Sequence, residues 1–362
     1  MQTAIPTVLM RGGTSKGLYF LGRDLPLNIT ERDRILLAAL GSPDDRQIDG
    51  VGGAHPLTSK VAIVTPSEAP EADVDYLFLQ VVVDRAEVSD GQNCGNILAG
   101  VGPFAIENNL VPASDGETEV RIRLVNSGGL AIARVKTPNK VVTYQGDSSI
   151  DGVPGTAAPV MLDFLDVAGS TCGSLLPTGN IVDEIDGIRM TCIDNGMPVV
   201  VMSAADFGKS GYETPVELES DKDLKARVES IRLKVGHLMN LGDVQQKTMP
   251  KMTLVSAPKR GGTICTRSFI PHRVHEAVGV LGAASVAVAC LIPGSLASEQ
   301  ATASTDADSS TVAVEHPTGS FSIEVEVSGQ GDQMVVHRSA LLRTARKLMQ
   351  GQVFVPAPAL DG

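Results

Sequence analysis

The chain has 362 residues, 43% of them hydrophobic and 20% charged, with a formal net charge of −12. That length and balance exclude a disordered, coiled-coil or collagen-like chain and fit two or three globular domains. Aromatics at 3% with no Trp leave no stacking platform for single-stranded nucleic acid, and the acidic balance excludes a duplex or an anionic membrane as partner while leaving room for a small anion in a locally positive pocket.

The chain opens on an apolar strand, TVLM, which runs into MRGGTSKGLYF (Met10–Phe20). Consecutive backbone N–H groups there, including that of Gly13, and the Thr14 and Ser15 hydroxyls form a candidate oxyanion cradle over Gly12–Ser15. It lacks the GxxxxGK[ST] spacing of a P-loop. ERDRILLAALG reads as a helix closed by Gly41. In DGVGGAHPLTSKVAIV, a polar Gly-rich loop from Asp49 to Ser59 delivers Lys60 to the first step of an apolar strand. Burial there favours the neutral amine, a candidate base; a lysine reaching out to solvent is the plainer alternative. DYLFLQVVV (75–83) reads as a strand.

DGQNCGNILAGVGPFAIENNL places Cys94 immediately before a Gly/Ala-rich helix that starts at Gly95. A thiol at a helix N-terminus is drawn toward the thiolate by the dipole and the free N–H groups, which also form an anion site. Asn93 and Asn96 add side-chain donors. A buried structural cysteine is the alternative at this position. EVRIRLV and LAIARV are the next strands, and GSTCGSLLPTGNIVDEIDG, near 170–190, is a domain boundary rich in Gly, Ser and Pro.

GIRMTCI and PVVVM are strands joined by an Asn195–Gly196–Met197 turn that is a candidate lining of the same cleft. SDKDLKARVESIRLKVGHLM reads as a helix capped by Ser220, and KMTLVSA as a strand. CTRSFIPHRVHEAVGVLG gathers Arg267, Ser268, His272, Arg273 and His275 ahead of a second small-residue helix starting at Gly279. In an acidic protein this basic cluster is a candidate carboxylate clamp, with a surface turn carrying ordinary ion pairs as the alternative. ASEQATASTDADSST reads as a surface loop before the strands FSIEVEV and QMVVH.

The five cysteines (Cys94, Cys172, Cys192, Cys265 and Cys290) are odd in number and form no CxxC pair, so neither a disulfide framework nor a zinc ribbon is expected. The first residues lack the basic, apolar and small-residue succession of a signal peptide. The longest uncharged stretch, Ala277–Ser295, is Ala/Gly-rich, is stopped by Pro293 and falls short of the ~20 strongly apolar residues of a membrane span. A cytoplasmic chain with reduced thiols is expected. No spacing suits a metal, and neither a GxSxG elbow nor a GxGxxG fingerprint is present; no cofactor is expected.

The two small-residue helices begin about half the chain apart, and each follows a block of strands. They predict an α+β fold of two similar halves, residues 1–180 and 181–362, each a set of strands round a buried helix. Two helix ends, two Gly-rich nests, a base and an acid suit a small di- or tricarboxylate ionised at carbon.

MRGGTSKG, DGVGGAHPLTSKVAIV, NCGNILAGVGPFAIE, IDNGMPVVV, NLGDV…PKM, RSFIPH and the closing RTARKLMQGQVFV run in order through almost the full length. In these motifs the chain resembles the PrpF family of cofactor-independent isomerases, which share the diaminopimelate epimerase fold. GSPDDRQIDGVGGA, VDYLF, DGVPG and LLPTGN are most similar to family members that isomerise 4-oxalomesaconate in bacterial gallate and protocatechuate breakdown; other members act on aconitate or methylitaconate. The resemblance implies two β-barrel-like domains, each round a central helix, with the last strand packing back on the first domain. It also implies a lysine and cysteine as the catalytic pair, on this chain Lys60 and Cys94. Diaminopimelate epimerases use one cysteine from each half; here Val278 precedes the second helix and Cys290 falls late in it, so a Lys/Cys allylic isomerisation fits better than two-thiol racemisation.

The expected mechanism has substrate carboxylates against Gly12–Ser15, Ser59, Asn93–Asn96 and Arg267/Ser268/His272. Lys60 removes a proton to give a dienolate, and Cys94 returns one to the other end of the allyl system. A homodimer is the default assembly. A non-catalytic polycarboxylate-binding protein and a racemase of the same fold are the rival readings.

Overall fold

The computed structural model describes residues 2–91, 93–165, 167–271, 273–302, 309–329 and 334–357. The chain divides into two compact units, one of residues 1–162 with 342–362 and one of residues 163–341. The sequence expectation is a boundary at 180/181 with the last strand packing back on the first domain. Residues 163–180 lie in the second unit, and the chain's last segment lies in the first.

In the first unit the strands are β1 (Gln2–Gly12), β2 (Ser15–Leu21), β3 (Lys60–Pro66), β4 (Val74–Val81), β5 (Val88–Ser89), β6 (Gly116–Leu124) and β7 (Leu130–Thr137). The helices are α1 (Ile29–Leu40) and α2 (Gly95–Glu107). β8 (Pro159–Leu165) and β17 (Val335–Pro356) carry the chain from one unit to the other, and they pair with each other. The ladder runs β17–β1–β2–β3–β4–β6–β7, parallel at β2/β3 and β4/β6 and antiparallel elsewhere.

The second unit holds β9 (Asp183–Ile185), β10 (Ile188–Asp194), β11 (Pro198–Ser203), β12 (Lys251–Ser256), β13 (Ile264–Ile270), β14 (Arg273–Val274), β15 (Ser309–His316) and β16 (Gly319–Ser328). Its helices are α3 (Pro215–Ser220), α4 (Lys222–Leu238), α5 (Val280–Cys290) and α6 (Leu296–Gln300). Its ladder, β9–β10–β11–β12–β13–β15–β16–β17, is parallel at β11/β12 and β13/β15. The two units therefore repeat one pattern. A hairpin is followed by a helical crossover to a parallel strand, a second antiparallel pair, a short strand, a buried helix and a second parallel step.

The physical centre of each unit is a helix with no polar face. In α2 every residue from Ile97 to Ile106 is buried, and the helix touches β1, β2, β3, β4, β6 and β7. In α5 every residue from Val280 to Ala289 is buried. A helix apolar on all sides is stable only when wrapped, and the sheet bends round it. The outer helices are amphipathic. α1 covers Leu18, Phe20, Val61 and Ile63, and α4 covers Met252, Leu254 and Phe269 with Val228, Ile231 and Val235.

Two expectations change. Ser220 does not cap the long helix: it ends α3, and Asp221 accepts from the Leu224 N–H at 2.9 Å, a stronger acceptor one residue on. Part of the expected surface loop is ordered, because Ser295 caps α6 and Ser309 begins β15; residues 303–308 lie outside the described residues. No helix of the described residues is long and apolar enough to cross a membrane.

Small residues let the sheet close on α2. A Cβ on Gly100 would lie 2.4 Å from the Tyr19 hydroxyl and 2.7 Å from its ring, and Tyr19 is fully buried. Gly100→Ala is expected to destabilise by ~1–3 kcal/mol through overpacking, read from urea or thermal unfolding.

Candidate active site

Within the first unit, several of the candidate side chains collect at the N-terminal end of α2. Cys94 is the N-cap residue and supplies no side-chain cap. The first intrahelical bond runs from Leu98 N–H to the Cys94 carbonyl. The N–H groups of Gly95, Asn96 and Ile97 therefore have no acceptor among the described residues, the arrangement that attracts an anion.

The cradle expected at Gly12–Ser15 lies against this end. Gly13 adopts φ +49°, and a Cβ there would meet Asn96 Oδ1 at 2.1 Å. Only glycine lets the turn lie this close. The Thr14 N–H points to Asn96 Oδ1 at 3.4 Å. Ser15 is buried, and its hydroxyl has no partner among the described residues. Asn93 donates to Ser127 Oγ at 2.6 Å, and its own buried Oδ1 has no partner among the described residues. Unmet buried polar atoms beside free N–H groups are what a polar ligand would satisfy.

Two buried tyrosines brace the helix start. Tyr76 donates to the Cys94 carbonyl at 3.2 Å, and Tyr19 to the Ile97 carbonyl at 2.5 Å. Burial, and then the neighbouring Cys94, hold both phenols well above their usual range, so both remain donors.

Lys60 opens β3 and is buried, 6% exposed. Its Nζ donates to Gln80 Oε1 at 2.8 Å and lies 5.0 Å from the centre of the Phe78 ring. Tyr76, Phe78 and Gln80 alternate along β4, so they share one face. One strand face thus reaches the Cys94 carbonyl at one end and the Lys60 amine at the other. The structure brings Cys94, Asn93, Asn96 and the Gly13–Ser15 turn to the start of α2, and sets Lys60 at the Gln80 end of the β4 face whose other end reaches the Cys94 carbonyl.

Of the other expected ligands, Ser59, Arg267, Ser268 and Asn195 are each hydrogen-bonded within their own unit. Ser59 is turned inward: its hydroxyl sits 2.9 Å from both Gln47 Oε1 and the His55 carbonyl, where it shapes the loop before Lys60. Arg267 and Ser268 are consecutive on β13, so their side chains leave on opposite faces. Arg267 Nε donates to the Glu213 carbonyl at 2.5 Å and Nη1 to the Thr266 carbonyl at 2.8 Å; Ser268 shares a hydrogen bond with Thr253. They do not form one clamp. His272 lies outside the described residues.

Asn195 is fully buried: its Nδ2 donates to Ser339 Oγ at 2.9 Å, its Oδ1 has no partner among the described residues, and its N–H meets Ser285 of α5. Ser285 in turn donates to the Met197 carbonyl at 2.7 Å. The Asn195–Met197 turn is therefore packed on the second turn of α5, past the Gly279 cap. As in α2, the first N–H groups of α5 have no acceptor among the described residues. Those residues hold no group of three His, Cys, Asp or Glu side chains suited to a metal ion.

Sequence reading missed Gln80, Tyr19, Tyr76 and Gln47. The period-two face Tyr76–Phe78–Gln80 was a usable signal, since it sets a polar residue in a strand with an otherwise apolar run. It also missed Lys251, which opens β12 as Lys60 opens β3 in the repeated pattern. Each leaves the sheet on the face away from the outer helix, because Val61 and Met252, the next residues, pack on α1 and α4.

Two barrel-like units, each round a buried helix, make this a diaminopimelate epimerase-like isomerase fold. The chain belongs to the PrpF family, whose description, PrpF protein, matches residues 2–356. It is 61% identical over 350 residues to the (4E)-oxalomesaconate Delta-isomerase of Novosphingobium sp. (strain KA1), covering 97% of each chain. It is 58% identical over 355 residues to the 4-oxalomesaconate tautomerase of Pseudomonas putida, covering 98% of this chain and 97% of that one. Among solved structures it is similar to methylitaconate-delta-isomerase, with a TM-score of 0.82 and 37% identity, covering 98% of this chain and 96% of the other.

Burial lowers the Lys251 amine to about 7, and the charge of Arg232 adds to the effect. Its unfolded counterpart keeps the proton to about pH 10. Between about pH 7 and 10 the unfolded chain binds more protons, so this group makes stability rise with pH there. Lys251→Met is expected to raise Tm at pH 7 and to flatten the stability–pH slope between pH 7 and 10, read by thermal unfolding across that range.

Proposed function

We propose that this chain is a cofactor-independent isomerase of 4-oxalomesaconate, with Lys60 as base and Cys94 as proton donor. The observation that carries the reading is that one unit holds a buried amine and a thiol at a helix N-cap, both reached from one face of β4, with first-turn N–H groups that have no acceptor among the described residues. The substrate class follows from the two relatives named for that compound and from the charge of the cradle.

A substrate carboxylate or enolate oxygen takes up the N–H groups of Gly95, Asn96 and Ile97, with Ser15 Oγ as a further donor. The Lys60 amine accepts a proton from the carbon next to the conjugated system. The electron pair of that C–H bond moves through the double bond to the carbonyl oxygen, giving a dienolate. The Cys94 thiol delivers its proton to the far carbon, and the double bond has moved one position. The ammonium and the thiolate left behind sum to the starting protonation, and proton exchange between them resets the enzyme.

Proton NMR of 4-oxalomesaconate in D₂O tests this reading. Conversion with deuterium entering one specific carbon is expected. Lys60→Ala is expected to lower kcat by ~10²–10⁴; retention of more than a tenth of wild-type turnover would refute the base assignment. Binding without conversion or exchange would instead mark a polycarboxylate-binding protein.

A further inference from the structure

A lysine base is held on four rotatable bonds, and its reactivity depends on where the nitrogen lone pair points. We propose that Gln80 is a positioning residue for Lys60: its Oε1 takes one N–H of the amine and thereby aims the lone pair. The inference rests on the reading of Lys60 as the base.

Three features of the structure carry it. Lys60 and Gln80 are direct cross-strand partners in the antiparallel β3/β4 ladder, so backbone register sets their separation. The orientation of the Gln80 amide is fixed by its surroundings. Nε2 lies 2.9 Å from the Ser59 carbonyl, 3.1 Å from that of Pro56 and 3.2 Å from that of Val81. All three can only accept, so the amide nitrogen must face them and the oxygen must face Lys60 Nζ. The Phe78 ring, on the same face of β4, lies against the amine and offers no competing oxygen.

The same amide also anchors the loop that delivers the lysine. Ser59 and Pro56 are its last steps before β3, and Gln47 holds its middle by accepting from the Ala54 N–H at 2.8 Å and from Ser59 Oγ. A neutral acceptor suits this place. A carboxylate at 2.8 Å would favour the ammonium, the form that cannot take a proton from carbon.

A double-mutant cycle tests the proposal. Gln80→Met keeps the size and removes both the acceptor and the donors. It is expected to lower kcat roughly 10–100-fold, per folded molecule, with KM changed less than about three-fold. In the Lys60→Ala background the same change is expected to add nothing to the loss, because the group it positions is gone. If Gln80 only braced the loop, Tm would fall while kcat per folded molecule stayed at the wild-type value, and the proposal would be overturned. Multiplicative losses in the double variant would also overturn it. Should the Met variant not fold, Gln80→Glu replaces it: a loss of kcat of at least about ten-fold is expected because the carboxylate holds the ammonium, and wild-type kcat contradicts the proposal. A Lys60→Ala enzyme with wild-type kcat removes the base reading itself, and this role with it; an inactive Lys60→Ala enzyme beside a fully active Gln80→Met enzyme removes this role alone.

Discussion

A helix buried on every side must still account for the N–H groups of its first turn, which have no partner within the helix. In this chain the constraint occurs twice, at α2 and α5, and much of the structure answers to it. No side chain of the first turn of either helix is charged, and neither N-cap residue, Cys94 or Gly279, supplies a side-chain bond. Among the described residues nothing accepts from the N–H groups of the first turn of either helix. At α2 the chain surrounds them with a cysteine, two asparagines, a buried serine hydroxyl and, along the same strand face, a lysine.

Burying such a helix also dictates what surrounds it. Glycine at position 100 makes room for Tyr19, and the two tyrosines that reach the Cys94 and Ile97 carbonyls fix the helix start without filling its N–H groups. The sheet curls because every side of the helix needs a cover. The repeat of strand order and parallel steps in the second unit shows the same solution used again on a different sequence. The lysines that open β3 and β12 belong to that repeat, and their settings differ: Lys60 donates to a glutamine, whereas Lys251 has the Arg232 charge behind it and donates to the Thr248 carbonyl at 2.5 Å.

Much of this was legible in the sequence. Uncharged runs rich in glycine and alanine can form helices only in a core, so the starts at Gly95 and Gly279 could be read directly, as could the strands between Gly and Pro breaks. The Gly13–Ser15 turn, Lys60 and Cys94 were legible because polar, Gly-rich loops led into buried elements. What was not legible depends on which face a residue takes. Arg267 and Ser268 look like a pair in sequence, yet alternation along β13 separates them. Ser59 looks like a ligand beside Lys60, yet its hydroxyl turns inward to Gln47 and His55. Gln80 lies twenty residues from Lys60 and becomes its partner only through antiparallel register. The chain's return through β17 to the first unit is implied by the family resemblance and not by local pattern, since strand signals do not say which sheet a strand joins.

In the proposed reaction the N–H groups at the start of α2 hold the substrate's negative oxygen while Lys60 faces the carbon that loses a proton. A crystal structure of the enzyme with a slowly turned-over tricarboxylate analogue tests it most directly. The expected result is a ligand oxygen bonded to the N–H groups of Gly95 to Ile97, with Lys60 Nζ about 3–3.5 Å from the acidic carbon. A ligand bound away from the α2 N-terminus, or a lysine still turned from that carbon, would contradict it.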